Sequence, residues 1–219
     1  MSTDKLEFHL TATVVGLHEI TSNPNAKDRG YVTPTQLRDY LRRKKSEGYS
    51  FVQLDGAFET RARQTKNLLI TLDDGYLGNY EHASVFEDEG APAVFYIHPS
   101  SIGSPNGAYP KMSWAQVMSL SERSIFEIGS HSWQHRELTK LSTAQLRDDF
   151  ARTNQAIRQR TGITPRSIAY PSGAWDQEVT AAASQHYQCG FSYGSRSGAR
   201  NQRFALPRLS MHQSNVNSI

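Results

Sequence analysis

Apolar runs of strand length alternate with capped, amphipathic helical segments along nearly the whole chain. The strand-like runs are FHLTATVVGL (8–17), YSFVQL (49–54), NLLITL (67–72), APAVFYI (91–97), SIFEIG (124–129), SIAYP (167–171), YQCGFSY (187–193) and RFALPRL (203–209). Between them lie segments with helical spacing. Thr33 caps a helix that begins at Pro34 and stops at Gly48, and Ser113 caps another. Residues 79–90 read as one helix ending at Gly90, and 176–187 read as a late helix. The longest helix starts at Ser142 and stops at Gly162, with Leu146, Phe150, Ile157 and Thr161 near one face. Strands that alternate with helices pair in parallel through right-handed crossovers. Seven or eight strands in 219 residues point to an α/β barrel in a single domain, 1–219, rather than an open sheet.

Composition excludes several classes. Hydrophobic residues make up 37% of the chain, enough for a packed core. The lone cysteine, Cys189, rules out an internal disulfide or a cysteine-rich zinc site. Net charge is +3, and the only basic run, RRKK at 42–45, lies in a helical pattern with no aromatic interleaving. It reads as a solvated helix face, so no nucleic-acid partner is expected. No apolar run approaches the roughly 18 residues of a membrane span. The start, MSTDKLEFHL, lacks the basic cluster and apolar stretch of a signal peptide.

Each strand-like run turns polar at its C-terminal end. Those ends carry His18 and Glu19, then Asp73 and Asp74, His98, Ser130 and His131, Ser172 and Gly173, and Arg208 with His212 four residues on. In a parallel barrel all such ends open on one face, where these folds build their sites. Asp73 and Asp74 are adjacent in an extended segment, so their side chains point apart and suit different tasks. The bland alternative is an Asp-Asp-Gly turn or a helix cap. In FEIGSHSWQHREL (126–138), His131 and His135 stand four residues apart. Alone they could be surface histidines. With a carboxylate from the same rim they form a two-His, one-carboxylate set that leaves coordination positions open, as a catalytic zinc requires. The same set could hold ferrous iron, but oxygenase sites usually place the first histidine and the carboxylate two residues apart. Lewis-acid hydrolysis is therefore favoured. Trp133 and Trp175 flank this region and would serve either sugar stacking or packing.

TLDDGY, GSHSWQH and AYPSG, in this order, resemble the first three motifs of the polysaccharide deacetylases, the NodB-homology carbohydrate esterases of family four. The segment 31–54, the APAVFYI strand and the terminal LPRL also resemble the branch acting on exopolysaccharides such as poly-N-acetylglucosamine. The resemblance spans roughly Val14 to Met211. It implies a distorted (β/α) barrel of about seven strands. It implies Asp73 as catalytic base and Asp74, His131 and His135 as ligands of a divalent metal, zinc first, with cobalt or nickel as alternatives. The backbone N–H of Ser172 falls where the family stabilises an oxyanion, and His212 falls where it supplies a general acid. Ala169 stands where many members have an arginine that orients the base. The substrate implied is a polysaccharide or oligosaccharide bearing N-acetyl groups, and the products are acetate and a free amino sugar. Alternatives are an esterase or amidase on another acetylated carbohydrate or small amide, or an inactive carbohydrate-binding protein on the same scaffold. The resemblance implies an extracytoplasmic location, with the cytoplasm as the alternative.

Overall fold

The computed structural model describes residues 9–23, 30–58, 66–104 and 109–219. Residues 1–8, the stretch 59–65 and parts of the loops after Ile20 and Ile102 lie outside them. In chain order the elements are β1 (Thr13–Leu17), β2 (Glu19–Ile20), β3 (Tyr31–Val32), α1 (Pro34–Ser46), β4 (Ser50–Phe51) and β5 (Asn67–Leu72). Then come α2 (Leu77–Glu81), α3 (Ser84–Glu89), β6 (Ala93–Ile97), α4 (Trp114–Ser121) and β7 (Phe126–Ser130). The chain finishes with α5 (Thr143–Thr161), β8 (Ser167–Ala169), α6 (Gln177–Ala183), β9 (Cys189–Tyr193) and β10 (Leu206–Ser210).

All pairings among the strands are parallel. β1 pairs with β10 on one side and β5 on the other, so β1, β5, β6, β7, β8, β9 and β10 close into a seven-stranded barrel. β4 adds to the edge of β5, and β2 and β3 form a separate short pair.

Local chemistry explains the helix boundaries. Thr33, Ser113 and Ser142 each sit three residues before a glutamine, and each pair closes a reciprocal capping box at the start of α1, α4 and α5. α5 ends at Gly162, which takes a left-handed φ of 76° that a side chain would oppose. The single helix expected at 79–90 is two, α2 and α3. The first is tied to the barrel by Asn79, whose side chain donates to the His18 carbonyl and accepts from the Ile20 N–H. The first strand is also shorter than its apolar run. Leu10 and Thr11 direct their N–H groups to the Arg200 and Ala57 carbonyls instead of a strand neighbour.

Alternation along each strand sorts the core into layers. Val14, Leu69, Val94, Tyr96, Ala169, Phe191 and Leu206 pack together with Leu10 and Ala12 inside the barrel. Val15, Leu17, Leu68, Ile70, Leu72, Phe95 and Ile128 face outward and pack under Leu37, Leu41, Phe86, Val117 and Leu120 of the helices. Counting in twos along the inward set leads off the strand ends to His18, Asp73, His98, His131, Tyr193 and Arg208. The fold thus aims six polar or aromatic side chains at one mouth.

Gly16 sits in the inward set of β1, and a Cβ there would overlap the Tyr193 ring and hydroxyl. Gly16→Ala is expected to cost about 1–3 kcal/mol by overpacking. Combined with Tyr193→Leu, the loss in a denaturation cycle should be smaller than the sum of the two single losses.

Candidate active site

Asp73 extends the inward register of β5 and is 1% exposed. Arg208, inward on β10 and equally buried, reaches it with both terminal nitrogens at 2.8 Å, a bidentate pair. Its Nη1 also donates to the Thr71 hydroxyl at 3.0 Å, and the guanidinium lies 3.9 Å from the centre of the Tyr193 ring. Burial pushes the Asp73 carboxyl up, but Arg208, with His131 and His18, outweighs it and holds the pKa below the ordinary value.

Asp74 follows with a left-handed φ of 70°. Its carboxylate is separated from that of Asp73 and meets two imidazoles instead. Oδ1 lies 3.3 Å from His131 Nε2 and 3.4 Å from His135 Nε2, and the three atoms are all within 4.8 Å of one another. Donors at about 2.0–2.1 Å around one tetrahedral ion stand about 3.3 Å apart, so these separations fit a shared metal. Two further features fit it. Asp74 Oδ1 is buried yet has no aligned hydrogen-bond donor, although imidazole nitrogens converge on it. His131 Nδ1 is 2.7 Å from the Ala169 carbonyl, which can only accept, so Nδ1 carries a proton and the neutral ring keeps its lone pair on Nε2; burial lowers the His131 pKa, but the Asp73 and Asp74 carboxylates outweigh it and raise it. Burial opposes the Asp74 charge, but His131 and Lys111 drive its pKa far below the usual range. Burial and the neighbouring His131 lower the His135 pKa.

The loop that carries the histidines is held in an unusual shape. Ser132 and His135 both have left-handed φ, at 61° and 56°. Ser132 Oγ accepts from the His135 N–H, Asp149 of α5 accepts from the Trp133 N–H at 2.9 Å, and the Trp133 carbonyl accepts from Ser100. Arg152 lies 3.9 Å over the Trp133 ring and covers one face. Trp175 packs against the cluster around Tyr170 and donates its ring N–H to the Arg196 carbonyl.

Three groups at this mouth escaped the sequence reading or stood in it only as strand-end residues. His18 follows Leu17, which pairs with Leu72, so it stands beside Asp73. Its ring stacks on Tyr193, 6.0 Å between centres and 18° between planes. Its buried Nδ1 has no partner among the described residues, and its charge would act on both Asp73 and Asp74. His98 follows Ile97, which pairs with Ser130, and so stands beside His131. Burial, then His131, lowers its pKa to about 3, so it is neutral. Lys111 stacks its ammonium 3.3 Å from the centre of Tyr76, and burial lowers its pKa to about 8. Counting the inward register of β1 and β10 past their last apolar residue would have found His18 and the partner of Asp73.

Ser172 has a left-handed φ of 57°, is exposed, and directs its N–H to no carbonyl among the described residues. It lies three residues past Ala169, whose carbonyl holds His131, on the same rim. His212 is different. Its ring pairs with Ser214 at 2.8 Å, and its N–H donates to Asn215. The flanking Met211 and Gln213 donate to the Gly16 and Tyr31 carbonyls and hold that turn against β1 and β3. No bond among the described residues links His212 to Asp73 or Asp74, while His18 stands beside Asp73.

Comparison with known proteins places these observations. The family model for polysaccharide deacetylases matches residues 60–190. Bacillus subtilis YxkH, which carries the same family name, is 29% identical over 147 residues, 66% of this chain and 51% of that protein. The peptidoglycan-N-acetylglucosamine deacetylase PgdA of Listeria monocytogenes is 27% identical over 124 residues, 54% of this chain and 24% of its own length. The chain thus spans about half of one relative and about a quarter of the other. The structure of IcaB from Ammonifex degensii superposes with a TM-score of 0.79 at 18% identity, covering 94% of each chain. The polysaccharide deacetylase BC0361 from Bacillus cereus gives 0.79 at 19% identity, covering 93% of this chain and 65% of that one. These superpositions establish a shared NodB-like barrel.

The buried pair yields a prediction with a defined sign. Asp73 has a depressed pKa, so its contribution is present above the unfolded-state value and is lost as pH falls through the folded one. Arg208→Met leaves the carboxylate buried without a partner, at a cost of about 3–5 kcal/mol. Burial alone then raises the Asp73 pKa, so the deficit should grow as pH rises above about 4. Denaturation midpoints from pH 4 to 8 check this, and adding Asp73→Asn should recover much of the loss.

Proposed function

The chain belongs to the polysaccharide deacetylase family, and on that premise we propose that it is a metal-dependent hydrolase that removes N-acetyl groups from a polysaccharide containing N-acetylglucosamine and releases acetate. We take the barrel as its single catalytic domain. One observation carries the reading: Asp74, His131 and His135 converge beside a separate carboxylate, Asp73, that Arg208 keeps ionised. The choice of sugar follows the name of the Listeria relative and the resemblance to exopolysaccharide deacetylases.

Asp74, His131 and His135 would hold a divalent ion, with zinc preferred for this donor set and cobalt or nickel accepted. When bound, such an ion polarises the acetamido carbonyl and lowers the pKa of water. The remaining work falls to the chain. Asp73 takes a proton from the attacking water as its oxygen bonds to the carbonyl carbon. Arg208 fixes the direction of that carboxylate and leaves its charge in place. The oxyanion of the tetrahedral intermediate meets the free N–H of Ser172, a donor already in position before the charge develops. His18 gives a proton to the departing nitrogen as the carbon–nitrogen bond breaks. Acetate and the amine leave, and the proton on Asp73 returns through solvent to His18.

The non-catalytic alternative drew on Ala169 standing where an arginine was expected. Arg208 reaches the same carboxylate from another strand, so that argument loses its force.

Acetate release from N-acetylglucosamine oligomers, after chelation and reloading with zinc or cobalt, tests the proposal. Asp74→Ala and His131→Ala should lose bound metal and activity together. Asp73→Asn should keep its metal and lose about 100-fold or more in kcat. His18→Gln should lower kcat by roughly 100-fold with KM little changed, while His212→Gln stays near wild type. Normal turnover in Asp73→Asn would overturn the base assignment, and an active enzyme that binds no metal would overturn the metal.

A further inference from the structure

One imidazole at the mouth is left unexplained by the three-ligand site. His98 is 8% exposed, and its Nε2 lies 3.8 Å from Asp74 Oδ1, the same oxygen that His131 and His135 approach. Its ring centre is 6.3 Å from that of His131 and 5.6 Å from that of His135. Strand register puts it there: the β6–β7 pairing runs to Ile97 and Ser130, and the next residues of the two strands are His98 and His131.

Its hydrogen bonding does not account for its burial. Nδ1 has no partner among the described residues. Nε2 has only the Ser101 hydroxyl, at 3.3 Å, and that hydroxyl also donates to the His98 carbonyl at 3.2 Å. With the proton on Nδ1, as ligation through Nε2 requires, that single hydroxyl proton is shared between Nε2 and the His98 carbonyl. A buried polar group without full partners is costly, and coordination would give Nε2 a partner of its own.

We infer that His98 is a fourth protein ligand, so that the metal is gripped by three imidazoles and one carboxylate rather than by two imidazoles and one carboxylate. The inference rests on the assignment of Asp74, His131 and His135 as ligands and extends it. A movement of about 0.5 Å would bring Nε2 to the separation from Asp74 Oδ1 shown by the other two imidazoles, and a further turn of the ring would bring it into the set of Asp74, His131 and His135 whose donor atoms all lie within 4.8 Å of one another. The consequences are tighter retention of the ion and, because four protein donors fill a tetrahedral shell, a need for a fifth position when water or substrate joins.

Metal competition tests this without activity. Zinc and cobalt affinities are measured against a chromophoric chelator for wild type, His98→Ala, Ser101→Ala and His131→Ala, with visible spectra of the cobalt forms. His98→Ala should bind at least tenfold more weakly and change its cobalt spectrum, and Ser101→Ala should stay within about twofold of wild type. X-ray absorption of zinc-loaded wild type should count three imidazoles, which needs no variant to fold. If wild type shows two imidazoles and His98→Ala keeps wild-type affinity while His131→Ala loses it, the fourth ligand is refuted and the three-ligand site stands. If wild type binds neither ion, both assignments fall. Equal losses in Ser101→Ala and His98→Ala would reduce His98 to a packing partner and refute the inference.

Discussion

β1 bonds to β10 on one edge and to β5 on the other, and that double pairing is what makes a mouth. Without it the sheet would be open, with β1 and β10 far from the strands that carry Asp73 and the histidines. Closure converts a two-residue periodicity into a site. Every strand that buries an apolar side chain inside the barrel sends its next inward residue to the rim once the apolar run ends. Polar residues there are surrounded by others of the same kind, so a charge is buried only where a partner from another strand meets it. The Asp73–Arg208 pair is such a case, with carboxylate and guanidinium side chains 2% and 0% exposed.

The rim is also where the backbone departs from its preferred angles. Among the described residues, the non-glycine positions with left-handed φ are Asp74, Ser132, His135 and Ser172, and all four lie at this mouth. Such conformations cost of order 1–3 kcal/mol each and persist only where the surroundings overdetermine them. The surroundings here are visible. Asp149 from α5 ties down Trp133, Ser132 ties down His135, and the Ala169 carbonyl fixes His131. The long helix α5, packed by Leu146, Phe150 and Ile157, thus serves the site through one carboxylate.

Much of this was legible in the sequence, and the remainder was hidden for one reason. Caps at Thr33, Ser113 and Ser142, the run Asn67–Leu72 and the stop at Gly162 are local chemistry, so the element order could be read directly. Asp73, Asp74, His131 and His135 belong to short motifs and needed only a common rim to meet. Arg208, His18 and His98 do not announce themselves that way. Arg208 is 135 positions from Asp73, and only barrel closure makes them neighbours. His212 has the spacing of a proton donor, but among the described residues its ring and N–H bond only to Ser214 and Asn215.

Two consecutive aspartates end with opposite surroundings, and this division organises the chemistry. In an extended chain they would merely point apart. Here the left-handed turn at Asp74 adds a rotation, so Asp73 remains in the barrel register with a permanent cation while Asp74 faces imidazoles that are neutral when they ligate. A guanidinium does not lose its proton, so Arg208 favours the charged form of Asp73, the form that can accept one. The Asp74 charge has no such fixed partner, and its Oδ1 lacks an aligned donor. A carboxylate set beneath converging imidazole nitrogens suits a shared cation, so the turn that leaves Asp73 with Arg208 also leaves Asp74 placed as a candidate ligand.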